Sequence, residues 1–142
     1  MGRAREVVEV AYKAWNAGDL EAILNHYDEN ATYWSTAHVA GLHGKAEIRE
    51  YSRSQLRIFP TIQFVITNLI ESGDAVALEY QIHARHDGPM EAPSGTIPAT
   101  GKTIDFAGAE FFEIRSGKIV TERNYVDSLE LMRQLGLMPA RK

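Results

Sequence analysis

Gly117-Lys118-Ile119-Val120-Thr121-Glu122-Arg123-Asn124-Tyr125-Val126-Asp127 decides the fold. It reads as the second strand of a hairpin that passes straight into a short helix, Ser128 to Leu135. Successive strand side chains point to opposite faces, so Ile119, Thr121, Arg123, Tyr125 and Asp127 are expected to share one face. Burying polar groups is costly unless they are paired. A core-facing row that carries Arg, Tyr and Asp therefore suggests a polar site inside the molecule.

Working outward, Ser116-Gly117 is a tight-turn signal, and Lys102 to Arg115 is the strand that precedes it. Ile62 to Glu71 and Ala75 to His86 alternate in the same way and are joined by Ser72-Gly73-Asp74. Upstream of Pro60 the period is helical. Val7, Val8, Ala11, Tyr12 and Trp15 place a helix over Arg3 to Ala17. Gly18 stops that helix and Asp19 caps the next, Leu20 to about Tyr27. A short strand, Ala31 to Ser35, a loop carrying His38, Gly41, His43 and Gly44, and a helix from Lys45 to Ile58 follow. Asp87 to Thr100, with Pro89, Pro93 and Pro98, reads as a long connection. Helices first and a meander of strands after them give an α+β class, with the helices on one face of a curved antiparallel sheet.

With 142 residues and no linker or repeat, residues 1–142 read as one domain. The formal net charge of −4 and the absence of a basic stripe argue against nucleic acid as a partner. No apolar run is long enough to cross a membrane. With no cysteine, thiol nucleophiles and thiolate metal sites are excluded. His38 and His43 lack an acidic companion at metal-binding spacing, and Gly101-Lys102-Thr103 lacks the upstream glycine of a phosphate loop. The expected setting is the cytoplasm, without a metal site.

If the hairpin centres on Ser116-Gly117, Ile114 lies opposite Ile119, Phe112 opposite Thr121, Glu110 opposite Arg123 and Gly108 opposite Tyr125. Ile104, Phe106, Glu110, Phe112 and Ile114 form the face that meets the helices. Val76, Leu78, Tyr80, Ile82, Ala84 and His86 form the corresponding row of the neighbouring strand. An apolar cup lined by Trp15, Tyr33, Tyr80, Phe106 and Phe112, with His38 as a further substrate contact, then surrounds Glu110, Arg123, Tyr125, Asp127 and His86. Burial raises a carboxylate toward a useful base, and Tyr125, His86 or Arg123 is placed to hold a developing enolate oxygen. Each residue also has a structural reading. Asp127, three residues before Glu130, suits a helix cap, and Glu110 with Arg123 suits a self-satisfied ion pair.

Trp15-Asn16-Ala17-Gly18-Asp19-Leu20, Gly41-Leu42-His43-Gly44, Ile97-Pro98-Ala99-Thr100-Gly101-Lys102, Gly117-Lys118-Ile119-Val120 and Gln134-Leu135-Gly136-Leu137 resemble the SnoaL-like polyketide cyclase or ester cyclase branch of the nuclear transport factor 2-like superfamily. The resemblance implies the cone-shaped, cystatin-like α+β fold. It also implies a small hydrophobic or polyketide-like substrate and an acidic general acid/base working without metal or cofactor in an aldol ring closure or isomerisation. Asp127 is the first candidate for that acid and Glu110 the second. In some relatives a Trp-Asp pair precedes the position of Tyr125, where this chain has Arg123-Asn124. Limonene-type epoxide hydrolysis on Glu110, Arg123 and Asp127 is an alternative, and a non-catalytic hydrophobic-ligand binder or scaffold is another. The opposite sheet face, with Ala107, Ala109, Phe111, Val120 and Val126 among Asp105, Glu113, Glu122 and Asn124, is expected to join two copies into a homodimer.

Overall fold

The long alternating strands in the second half of the chain join earlier strands in a six-stranded sheet, seen here in a computed structural model that describes residues 3–92 and 95–138. Helix α1 (Arg3–Ala17) buries Ala4, Val8, Ala11 and Tyr12, one stripe of its surface. Gly18, at φ 66°, turns the chain where a side chain would be strained. The Asp19 carboxylate then accepts from the Ala22 N–H to start α2 (Leu20–Leu24).

Helix α2 is shorter than the sequence suggests, because β1 (Tyr27–Ser35) begins at Tyr27. There the backbone is claimed by a distant strand: the Ile119 N–H donates to the His26 carbonyl at 2.7 Å. The loop expected around His38 and His43 is strand β2 (His38–His43), paired antiparallel with β1. Helix α3 (Lys45–Ile58) matches its expected limits.

Strands β3 (Gln63–Ser72) and β4 (Ala75–Arg85) form the first long hairpin. The expected connection contains a small hairpin of its own, β5 (Met90–Ala92) with β6 (Gly95–Ile97); Pro93 lies outside the described residues. Strands β7 (Thr103–Arg115) and β8 (Lys118–Val126) complete the sheet, in the order β2-β1-β8-β7-β4-β3. All neighbours are antiparallel except β1 and β8, which run parallel. Helix α4 (Ser128–Gln134) closes the end of the sheet, where Gln134 exchanges two 2.7 Å hydrogen bonds with the Asp105 backbone.

The β7–β8 register departs from the simple alternation. Ser116 and Gly117 take positive φ values of 52° and 76°, as the tight turn requires. Ile114 faces Ile119 as expected, but Glu113 then faces Thr121, so Val120 is an extra residue on β8. Such a bulge shifts every later side chain to the opposite face. Phe112 therefore faces Glu122, Phe111 faces Arg123, Glu110 faces Asn124 and Ala109 faces Tyr125. Glu122 is buried with the core, while Arg123 and Tyr125 are exposed. The outer face thus exchanges Glu122, Asn124 and Val126 for Thr121, Arg123 and Tyr125.

The core fills the space between the helices and the inner sheet face. Val8, Ile23 and Ile119 are fully enclosed, and burying each such side chain contributes about 1.5–3 kcal/mol. The inward rows of β4 (Val76, Leu78, Tyr80, Ile82, Ala84) and β7 (Ile104, Phe106, Glu110, Phe112, Ile114) are buried as the alternation predicts.

Candidate active site

Glu110 on β7 is aligned with Asn124 on β8, so Glu122, two residues earlier on β8, is its diagonal neighbour on the same inward face. Such neighbours sit roughly 7–8 Å apart in backbone position, within reach of each other's side chains. Both residues are nearly removed from solvent, at 4% and 7% exposure. Each carboxyl accepts a hydrogen bond from a phenol of a different element: Tyr12 of α1 donates to Glu110 Oε1, and Tyr27 of β1 donates to Glu122 Oε1. Glu110 Oε2 is buried without a hydrogen-bond partner.

Beside the carboxyls lies Asn124, whose amide is fixed at both ends. Its Oδ1 accepts from the Tyr80 hydroxyl at 2.7 Å and its Nδ2 donates to the Tyr33 hydroxyl at 3.0 Å. The Tyr33 and Tyr51 hydroxyls are 3.5 Å apart. These groups border a cavity of about 100 Å³ whose walls also include Trp15, Phe64, Phe112 and aliphatic side chains of α3 and the sheet. The aromatic walls brace one another edge to face, Tyr12 on Phe64 at 5.5 Å and Phe64 on Tyr80 at 5.6 Å.

Burial dominates the electrostatics. It pushes the Glu110 carboxyl well above the usual range, and the neighbouring Glu122 charge adds to that shift, while the Tyr12 hydrogen bond opposes it. Burial also raises Glu122, while the adjoining Glu110 carboxyl and the Tyr27 hydrogen bond oppose that shift. A charge on one carboxyl favours a proton on the other. Burial likewise raises Tyr12, Tyr27, Tyr33, Tyr51 and Tyr80, so all five phenols are neutral donors.

Of the residues expected at the site, Glu110, Trp15, Tyr33, Tyr80 and Phe112 line this cavity. Phe106 is buried in the core but does not border it, and His38 is exposed on β2 with its ring 6.2 Å from that of Tyr51. His86 continues the inward row one residue past β4, fully buried, and stands behind the cavity wall without bordering the cavity itself. Its Nδ1 accepts from the Thr100 N–H at 3.2 Å and its ring packs 5.9 Å from Phe59.

The expected Glu110–Arg123 pairing does not form, because the Val120 bulge turns Arg123 outward. There its guanidinium lies 4.8 Å over the Trp34 ring and donates to the Tyr125 hydroxyl at 3.3 Å. Asp127 is exposed and caps α4, accepting from the Glu130 N–H at 3.1 Å. Alternation alone misses Glu122 and Asn124, since nothing in the residue pattern marks Val120 as supernumerary. Tyr12 lies on the core stripe that the sequence predicts for α1, but nothing in the residue pattern points to Glu110 as its partner. From the sequence Tyr27 reads as a helix end, whereas it opens β1. Among the described residues, no group of three or more His, Asp or Glu side chains could hold a metal ion, and no helix is long and apolar enough to cross a membrane.

The fold is shared widely. AclR of Streptomyces galilaeus, a candidate hydroxylase, superposes with a TM-score of 0.82 at 23% identity, over 98% of this chain and 99% of its own. A candidate SnoaL-like polyketide cyclase from Jannaschia sp. CCS1 gives 0.84 at 17% identity, over 96% and 94%. TerC, co-crystallised with polyporic acid, gives 0.74 at 15% identity, over 94% and 98%. At these identities the likeness establishes the cone-shaped nuclear transport factor 2-like fold and not the reaction. No curated protein matches the chain significantly. The sequence itself matches the family model of the SnoaL-like polyketide cyclases from residue 5 to residue 135. With nearly its whole length spanned by that model, the chain belongs to the SnoaL-like polyketide cyclase family.

Proposed function

We propose that the protein is a small-molecule enzyme that moves protons on a carbonyl-activated substrate, with Glu122 as general base and Glu110 as proton-holding partner. The observation that carries this reading is the pair of buried glutamates on adjacent strands, each anchored by a phenol and both bordering a ring-lined cavity. Environments that separate the proton affinities of two neighbouring acids assign them different tasks. Ionised Glu122 takes a proton from the carbon next to a carbonyl. The resulting enolate oxygen accepts a hydrogen bond from Glu110, whose proton sits on Oε2 because Oε1 already accepts from Tyr12. In a ring closure, the enolate carbon bonds to a second carbonyl carbon of the same molecule and the new alkoxide takes a proton from Glu110. Proton transfer from Glu122 to Glu110 then restores the pair. In an isomerisation, Glu122 returns its proton to another carbon. Both routes conserve all atoms and electrons of the substrate.

The acid/base role expected of Asp127 thus passes to Glu122, and Asn124, where an acid stands in some relatives, becomes a neutral brace. The epoxide hydrolase alternative loses its motivating cluster, since Arg123 and Asp127 lie outside the cavity. A binder without catalysis is the remaining competitor. Solvent deuterium exchange at the α-carbon of small cyclic ketones, followed by NMR, separates the two. The wild type is expected to accelerate exchange and Glu122→Gln to reduce that acceleration by about 10²-fold or more. Equal exchange by the two proteins overturns the reading.

At about 100 Å³ the cavity is smaller than the ~150 Å³ engineered cavity that admits benzene. A substrate of several fused rings therefore requires side chains such as Trp15 and Tyr51 to move. We further propose a cytoplasmic homodimer packed through the outer sheet face, where Val65, Ile70, Phe111 and Tyr125 are exposed. Light scattering at micromolar concentration is expected to give twice the 15.9 kDa chain mass, and a monomer refutes the assembly.

A further inference from the structure

The charge balance of the cavity is one-sided. Glu110 on β7 and Glu122 on β8 face it, with the neutral phenols of Tyr12 on α1, Tyr27 and Tyr33 on β1, Tyr51 on α3 and Tyr80 on β4. Among the described residues no Lys, Arg or His lines it. The buried Glu110 Oε2 also has no hydrogen-bond partner, so the site retains an unused polar atom. An anionic ligand entering here meets two acids and no counter-charge. An alkylated ammonium ion meets carboxyl oxygens and electron-rich rings, the surroundings that attract weakly hydrated organic cations.

We propose that the cavity accepts a small hydrophobic ammonium ion, seated against the Glu110 and Glu122 carboxyls and the surrounding aromatic rings. The inference concerns ligand class and holds whether or not the site is catalytic. A buried acid pair that keeps a proton can exchange it for the ligand: the organic cation enters, one proton leaves, and the charge enclosed by the protein is unchanged. This avoids burying an extra uncompensated charge, which a low-dielectric interior strongly disfavours. The limited volume selects a compact cation over a long polyamine.

The consequence is proton-linked binding. An opposite charge favours the ionised carboxyl, so affinity rises with pH, by up to about tenfold per unit while one proton is displaced. The test is calorimetric titration of the full chain with choline and with 3,3-dimethylbutan-1-ol, its uncharged isostere in which carbon replaces nitrogen. Each titration is run at pH 5.5 and 8 in two buffers of different ionisation enthalpy. Choline is expected to bind at least tenfold tighter than the alcohol at pH 8, with the gap narrowing at pH 5.5 and with proton release at the lower pH. Glu122→Gln, its fold checked by near-ultraviolet circular dichroism, is expected to shrink the preference while retaining the alcohol's affinity. Equal affinity for the two probes, a pH-independent preference for choline, or no binding of choline overturns the proposal. Because the readout is equilibrium binding, such a result leaves the deuterium-exchange prediction standing, and failure of exchange leaves this one standing.

Discussion

Gly108 lies opposite Tyr80 in the β4–β7 pair, and a Cβ added at 108 would collide with the Tyr80 ring. The missing side chain is what lets the Tyr80 phenol cross its neighbour strand and reach Asn124. Gly108→Ala is therefore expected to destabilise the protein by about 1–3 kcal/mol, the range for an overpacked core. Chemical denaturation measures this, and an unchanged midpoint refutes the packing argument. Tyr12→Phe tests the neighbouring contact. It deprives Glu110 of the bond that favours its ionised form, so it is expected to cost about 1–3 kcal/mol and to raise the Glu110 carboxyl further. A carboxyl-specific infrared or carbon-13 NMR titration reads that shift. Individual residues were unequally legible in the sequence. Glu110 could be placed from β7 alternation alone, because no irregularity separates it from Phe112 or Phe106. Glu122 and Asn124 lie beyond Val120, and a bulge of one residue leaves no mark in a run of alternating side chains.

Among the elements, α1, α3 and the long strands were readable because each carries enough periods of an apolar pattern to define its face. Strand β2 was not, since it is exposed over most of its length and interrupted by Gly41. The start of β1 was hidden for another reason: its partner at Tyr27 is Ile119, far along the chain, and parallel pairing has no turn signal to announce it. Helix α4 offers a test at this scale. Its Asp127 cap answers the first-turn donors, and Asp127→Ala is expected to cost about 1 kcal/mol. Because Asp127 stands outside the cavity, the same variant is expected to leave deuterium exchange within about twofold of wild type. A large loss of exchange would return Asp127 to the mechanism.

Taken as a whole, the molecule holds in its interior two acids whose proton affinity burial raises. Glu110 and Glu122 have native pKa values raised above those of the unfolded chain, so between about pH 4.3 and the native values the folded state binds more protons than the unfolded. Their contribution to stability is then fully present below the unfolded pKa and is lost as pH rises through the native ones. Glu130, held down to about 2 by Arg133, acts in the opposite sense, but it lies on the surface where solvent and salt screen it. The midpoint of thermal unfolding is expected to fall from pH 5.5 to pH 8, and Glu110→Gln to flatten that fall. An identical slope in the variant would show that the buried pair does not govern it.

The phenol and amide contacts of the site have a consequence for how this protein changes over generations. Tyr12, Tyr27, Tyr33 and Tyr80 come from α1, β1 and β4 to hold three side chains of β7 and β8. The residues that border the cavity are thus also rivets between the layers. A substitution that alters what the cavity accepts loosens a joint of the scaffold at the same time. Descendants that acquire a new ligand by mutating these positions should carry compensating changes elsewhere, while the rim, where no such joint is made, is the freer ground for drift.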